Sequence, residues 1–346
     1  MSKRVLVTTT SFLDSPGAHL ERLRETGFEV VSARGPFRED DLLRVLAEFG
    51  GCDGVICGED HFSAAVLRGM APRTKVISKY GVGLDRIDLE VAQEVGIRVT
   101  NTPGVNHHTV TEHAMGLLLS LVRKIPDENQ VVHRGEWRRF TGRELVGKKI
   151  GVLGFGRVGR EVASRAMAFG LDVLVHNTSW SPVHAAHVEA LQQVYSHPLF
   201  SDYRGSIRRC TDEQELLGAV DFISLHMNLT KQNMQFMNRR RLGLCKRGVC
   251  IVNVSRGALV DEYALASALK SGLVGGYAAD VLEVEPIQPE CPLKGLHNVI
   301  LTPHIGSRTY ESVIRQGLAA VENLKSALLG DGSGSAVRVG AAAVQE

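Results

Sequence analysis

The sequence predicts an α/β protein made of two doubly wound parallel-sheet domains. Three observations carry the prediction. Short β-rich runs alternate with helical stretches along the chain, as parallel strands joined by crossover helices do. Gly154, Gly156 and Gly159, in G-x-G-x-x-G spacing, stand between one such run and a helix. At 346 residues the chain is long enough for two proper cores.

In order, the first hundred residues read as strands at 4–8, 28–32, 54–57, 76–78 and 97–100, with helices at 18–25, 39–49, 64–70 and 89–95. Leu42, Leu43, Leu46 and Phe49 share one helix face. This half has no glycine fingerprint. Pro103-Gly104 breaks the pattern, and a helix of about 109–123 links the two halves. A polar segment with Trp137, Arg138, Arg139 and Arg143 follows, to which no role is assigned. Strands are expected at 150–153, 171–176, 221–225, 249–254, 276–280 and 299–302. A polar connection at 178–220 contains a helix at 183–191, and the last helix, 311–329, returns to the first domain. The expected domains are 1–104 with 305–346, and 105–304 inserted between them. From about 331 the tail is Gly, Ser and Ala without a core-forming period and is expected to be mobile.

Bulk properties exclude several function classes. Charged residues make up 23% and the formal net charge is +2, so nothing suggests a nucleic-acid surface or an acidic tail. Six cysteines form no C-x-x-C pair and no zinc spacing, which fits a reducing compartment. No signal-peptide core and no membrane-length apolar run is present, so a soluble cytoplasmic protein is expected.

The stretch from Lys148 to Asn177 carries the clearest chemistry. A strand, a glycine turn, a helix ending at Gly170 and a second strand form one dinucleotide-binding unit. Gly154 permits the tight turn, a side chain at 156 would block a pyrophosphate, and one at 159 would push the helix off the sheet. Amides at the helix start, across Phe155, Arg157 and Val158, then face phosphate oxygens, where the helix dipole favours negative charge. An acid about 20 residues on usually accepts from the ribose hydroxyls. Here Asn177 stands eighteen residues after Gly159 (177 − 159), with no Arg or Lys closely following. NAD is slightly favoured, and the choice between NAD and NADP stays open.

Four stretches resemble the D-isomer-specific 2-hydroxyacid dehydrogenases, most of all the phosphoglycerate dehydrogenase branch in a short form without a regulatory domain. They are KYGVGLDRIDLEVAQEVGIRVTNTPG (79–104), ELVGKKIGVLGFGRVG (144–159), VNVSRGALVD (252–261), and ADVLEVEP (279–286) with LTPHIG (301–306). The resemblance spans about 76–329 and implies a flavodoxin-like substrate domain and a Rossmann NAD(P)-binding domain. It also implies hydride transfer between NAD(P) and a small anionic D-2-hydroxy or 2-oxo acid, in a homodimer. By that resemblance Arg256, Glu285 and His304 are catalytic. Arg256 grips the substrate carboxylate, a task suited to its planar fork. His304 moves the proton, and Glu285 stabilises the imidazolium. Lys79, Val82 and Gly83 lie in the implied substrate loop. His226, Val254, Ser255, Asp280 and Gly306 join Gly154–Gly159, Asn177 and His304 at the implied cofactor site, with Asp280 accepting from the nicotinamide carboxamide.

Several residues keep two readings. Asp280 is equally suited to capping a turn, and Lys79 to facing solvent. His107 and His108 either shape the substrate pocket or lie on the surface; no third ligand is placed beside them by sequence, so no metal site is expected. Two other functions stay open: an NAD(H)-sensing corepressor-like binding protein, and a phosphite- or formate-type dehydrogenase.

Overall fold

The computed structural model describes residues 2–197 and 205–330. Residues 198–204 of the polar connection and the tail from 331, for which mobility was expected, lie outside the described residues. In chain order the elements begin β1 (Arg4–Val7), α1 (Thr10–Asp14), α2 (Ala18–Glu25), β2 (Glu29–Ser32), α3 (Glu39–Glu48), β3 (Gly54–Cys57), α4 (Ala64–Met70), β4 (Val76–Lys79), α5 (Leu89–Glu94) and β5 (Arg98–Thr100). Then come α6 (His107–Arg123), α7 (Ile125–His133), β6 (Lys149–Leu153), α8 (Arg157–Ala168), β7 (Asp172–His176), α9 (Pro182–Tyr195), β8 (Ile207–Arg209), α10 (Glu213–Ala219) and β9 (Phe222–Leu225). The chain finishes with α11 (Arg239–Leu244), β10 (Val249–Asn253), a 3-10 turn at Gly257–Leu259, α12 (Glu262–Lys270), β11 (Val274–Ala279), β12 (Val299–Leu301) and α13 (Tyr310–Leu329).

Two compact units result. One combines the residues up to Asn106 with those from Ser307 onward; the other is His107–Gly306. Local bonds set these limits. Asn106 donates to Gln316 Oε1 at 3.4 Å in the first unit, while Asp280 holds the amides of Ile305 and Gly306 in the second. The first unit has a five-stranded sheet in the order β2-β1-β3-β4-β5, all parallel. That is the flavodoxin-like order. Alternate residues split between two cores: Leu6, Val55 and Ile77 on one face, Val5, Val7 and Ile56 on the other. Ala320, Val321 and Leu324 of α13 close the second face.

The second unit has seven strands in the order β12-β11-β10-β9-β6-β7-β8, again all parallel. Its strands β9 and β10 are buried along their whole length, as a sheet covered on both faces requires. Ile150 and Val152 enter one core and Leu153 the other. The strand order reverses between β6 and β9, where open α/β sheets leave a crevice.

The helices differ from expectation in places. The second unit's first helix starts at His107 rather than 109, and α9 runs Pro182–Tyr195 rather than 183–191. The segment read as polar between 124 and 147 contains α7, whose single buried residue, Val131, leaves almost no periodic apolar signal. Helices α10 and α12 were not anticipated, although Asp212 and Asp261 cap them.

Gly159 is the tightest joint in the nucleotide-binding unit. A Cβ there would lie 2.1 Å from the carbonyl oxygen of Gly154. Both groups are main chain, so α8 itself would have to move. Gly159→Ala is therefore expected to destabilise the protein by about 2–3 kcal/mol, measured by urea unfolding, despite the better helix propensity of alanine.

Candidate active site

The strands of the second unit deliver their carboxyl ends to one rim, and the candidate residues follow those ends. After β6, Gly154 adopts φ +93°. A Cβ on it would meet the main chain of His226 and Met227, which follow β9, at 2.6–2.7 Å. Gly154 N–H donates to His176 O (2.9 Å) and His226 N–H to Leu153 O (2.7 Å), so the ends of β6, β7 and β9 are tied together. At Gly156 a Cβ would meet nothing within 4 Å. Helix α8 begins on that open space with no side-chain cap and no acid in its first turn. Helix-start amides left in this way form an anion site, and a dinucleotide pyrophosphate fits it.

The flanking residues divide between main-chain and side-chain duties. Phe155 is fully buried and its ring stacks on Trp180 at 5.8 Å, so its side chain serves the core and not a ligand. Val158 packs against the same core, and Arg157 is exposed. Asn177, read from sequence as a partner for the ribose, instead braces the turn. Its Oδ1 accepts from Phe155 N–H at 3.0 Å and its Nδ2 donates to Ser179 O. His226 turns its ring back onto Ser224, with Nε2 2.7 Å from the hydroxyl. Burial lowers its pKa to about 3, so the ring is neutral at working pH. Its main chain rather than its imidazole touches the glycine turn.

Two further loops meet beside this turn. After β10, Asn253 accepts from Ser255 N–H (3.0 Å) and donates to Arg256 O (2.8 Å), forming an Asx-type clamp. Ser255 Oγ donates to Met227 O, and Val254 packs on the core. A Cβ on Gly257 would lie 1.9 Å from the carbonyl carbon of Leu282. The loop carrying Arg256 therefore rests directly on the loop carrying Glu285. Arg256 Nη1 donates to Ser255 O at 2.7 Å.

His304 Nδ1 lies 2.8 Å from Glu285 Oε2. Glu285 Oε1 accepts from Leu282 N–H at 3.0 Å, which fixes the carboxylate. Because an ionised carboxylate only accepts, this contact is made through a proton on Nδ1. The side chains of His304 and Glu285 are 31% and 18% exposed, so the pair remains accessible. His304 has φ +53°, a conformation uncommon for a residue with a side chain.

That backbone is held by Asp280. Its carboxylate is 3% exposed and accepts from Thr302 Oγ1 (2.6 Å), Ile305 N–H (2.9 Å) and Gly306 N–H (2.7 Å). His113 Nε2 of α6 approaches it at 3.2 Å and Thr302 Oγ1 at 2.9 Å. The carboxylate thus acts as the turn cap that sequence reading kept beside its cofactor role, and Gly306 is bound to it. Asn253, Thr302 and His113 were not singled out from sequence. Only Asn253 had a readable signal, an Asn two residues before Ser255 at a strand end.

The substrate-loop candidates belong to the other unit. Lys79, the last residue of β4, is 3% exposed. Its ammonium is 2.5 Å from Glu59 Oε1 and also donates to Gly58 O, so it neither faces solvent nor carries an uncompensated charge. Val82 O accepts from Asn101 Nδ2 at 2.9 Å, and Val82 and Gly83 are partly exposed.

Burial pushes the Asp280 carboxyl up, but His113, Thr302 and the Ile305 amide outweigh it and hold it below the ordinary value. A depressed carboxylate contributes stability that is complete above its unfolded pKa, about 3.9, and is lost as pH falls through the folded value. Asp280→Asn should therefore cost about 2 kcal/mol or more at pH 7, and the gap to wild type should close below about pH 4. Paired denaturation curves across pH check both parts.

The chain is similar to known proteins along most of its length. Residues 115–306 match the family model described as D-isomer specific 2-hydroxyacid dehydrogenase, NAD binding domain. A glyoxylate reductase of Thermofilum pendens is 35% identical over 338 residues, 95% of this chain and 93% of that protein. A D-3-phosphoglycerate dehydrogenase of Archaeoglobus fulgidus is 35% identical over 307 residues, 88% of this chain and 54% of its own. The chain thus spans about half the length of the D-3-phosphoglycerate dehydrogenases it matches. A solved protein of Thermus thermophilus superposes with a TM-score of 0.78 at 38% identity, covering 94% of this chain and 97% of that one. The chain belongs to the D-isomer specific 2-hydroxyacid dehydrogenase family.

Proposed function

We propose that the protein is an NAD(P)-dependent oxidoreductase interconverting a small 2-oxo acid and the D-2-hydroxy acid. The observation that carries this is the His304–Glu285 contact at 2.8 Å, held by the same strand-end rim as the glycine turn. When bound, the nicotinamide supplies the hydride. The chain supplies the rest. The amides at the start of α8 take the pyrophosphate. Arg256 takes the substrate carboxylate and draws electron density from the carbonyl. His304 Nε2 gives a proton to the carbonyl oxygen in reduction and takes one from the hydroxyl in oxidation, while Glu285 stabilises the imidazolium between the two.

The substrate is placed among small unphosphorylated 2-oxo acids of the glyoxylate or pyruvate type. Supporting this, Lys79, the buried cation of the implied substrate loop, is paired with Glu59 and so is not set aside for a phosphoryl group. Relatives named for glyoxylate and for D-lactate fall in that class. The homodimer is kept as part of the proposal. In its favour, Ile125, Val132, Trp137 and Val146 are exposed within one stretch of the second unit.

The test is NADH and NADPH oxidation by the purified protein against glyoxylate, pyruvate, hydroxypyruvate and phosphohydroxypyruvate. Turnover is expected with the first three, and His304→Ala should lower kcat by about 10²–10⁴ with NADH binding unchanged by fluorescence. Normal turnover in that variant removes His304 from the mechanism. No turnover by the wild type, combined with tight NADH binding, supports a sensing role instead.

Cofactor choice rests on position 177. An amide there does not repel a 2′-phosphate as a carboxylate does, so we propose that both NADH and NADPH are used. Asn177→Asp keeps an acceptor for Phe155 N–H and adds a charge. It is expected to lower kcat/KM for NADPH by about 10-fold or more while NADH stays within a few-fold, as befits one like-charge contact of about 1–2 kcal/mol.

A further inference from the structure

We propose that His107, His108 and Glu161 form a binding site for one divalent transition-metal ion, with zinc as its best-suited occupant. None of the three has a part in the chemistry proposed for Arg256, Glu285 and His304, and the site goes beyond the dehydrogenase activity. Each offers one ligand atom, and the three atoms lie within 4.8 Å of one another. Two imidazoles and a carboxylate are a donor set that suits zinc and its neighbours in the first transition row rather than magnesium or calcium.

The sequence could not place the carboxylate because it comes from another helix. His107 and His108 open α6, while Glu161 lies one turn into α8. Packing of α6 on α8 brings them together. The two rings stand with centroids 4.0 Å apart, so one nitrogen of each falls within reach of the same ion. His108 Nδ1 is 3.4 Å from Glu161 Oε2. That spacing is long for a charge-assisted hydrogen bond, which closes to about 2.7–2.9 Å. It is the separation that bonds of about 2.1 Å to a tetrahedral ion impose on two of its ligands. His108 is 57% exposed in its side chain, which gives the ion an entry path and leaves room for water at the remaining position.

Arg165 sets the limit on affinity. It pairs with the same Oε2 of Glu161 from one turn farther along α8, so a metal must compete with a guanidinium. Occupied, the site would pin the first turn of α6 to α8, the helix whose start carries the anion-binding amides.

The experiment uses the tag-free full chain, with zinc as probe and magnesium as control, followed by calorimetric titration and by thermal unfolding. About one zinc per chain is expected, with a raised Tm, because an ion that binds only the folded state stabilises it. Magnesium should do neither. His108→Ala and Glu161→Gln should each weaken zinc binding at least about 10-fold and abolish the Tm rise. Arg165→Gln, by removing the competitor, should tighten binding; a structural role for Glu161 alone does not give opposite signs for these two variants. NADH binding reports that each variant is folded. A His184→Ala/His187→Ala variant separates this site from the other histidine pair on the unit and should bind zinc as wild type does. The proposal is overturned if the wild type takes up no zinc at about 1 mM, a concentration that any site of useful affinity would saturate. It is overturned equally if Glu161→Gln binds as tightly as wild type, or if the His184/His187 variant is the one that loses the ion.

Discussion

The buried carboxylate of Asp280 is the constraint on which the candidate site depends. A charge in that position is costly unless every lone pair is used. Here the costs are offset by a threonine hydroxyl, two consecutive amides and a histidine from α6. Those bonds also shape the backbone. By gathering the Thr302 hydroxyl and the amides of residues 305 and 306, Asp280 folds the 302–306 segment into a turn within which His304 adopts a left-handed conformation. The unusual φ at His304 is thus explained by what surrounds it: the turn overdetermines the residue, and its ring is delivered to Glu285 as a consequence. A rigid carboxylate directly after β11 positions a proton-transfer pair that neither loop could hold alone.

Close main-chain contacts do the rest of the assembly. Gly154 against His226–Met227, and Gly257 against Leu282–Glu283, are places where two loops touch with no room for a methyl group. Each contact joins the ends of different strands, and the hydroxyl of Ser255 adds a bond from the Arg256 loop to the β9 loop. The glycine turn, the arginine and the histidine pair are therefore parts of one connected rim and not three separately placed loops. Substitutions at these glycines act through backbone displacement, so their effect reaches groups that the substituted residue never touches. This coupling accounts for how residues as distant in the chain as Gly154 and His304 share one edge of the sheet.

Much of this was legible in the sequence. The two parallel sheets follow from short buried runs alternating with helices, and the family from four motifs in order. The Gly154–Gly159 turn was legible because each glycine answers a separate steric demand, and the three Cβ environments, two blocked and one open, match those demands. What escaped was of two kinds. Helix α7, with a single buried residue and no apolar stripe, carries too little periodicity to be read. Side-chain partnerships across elements carry no local signal at all. Asn177 binding Phe155, Lys79 binding Glu59 and His113 reaching Asp280 each pair residues at least 20 positions apart. Several of the polar residues singled out as ligand contacts serve the protein's own backbone.

Asn177 shows what that double duty means for specificity. Its amide is tied at both ends, to Phe155 N–H and to Ser179 O, so its orientation is fixed before any cofactor arrives. An asparagine amide held in this way presents a dipole and no net charge to the region beyond β7. A carboxylate in the same place would accept the Phe155 amide equally well and would add a negative charge close to the position that distinguishes the two nicotinamide cofactors. The bond to Phe155 N–H is one that both side chains can make, whereas the bond to Ser179 O needs the amide of asparagine. An aspartate therefore adds a charge and gives up one of the two tethers, while the bond that braces the glycine turn is kept.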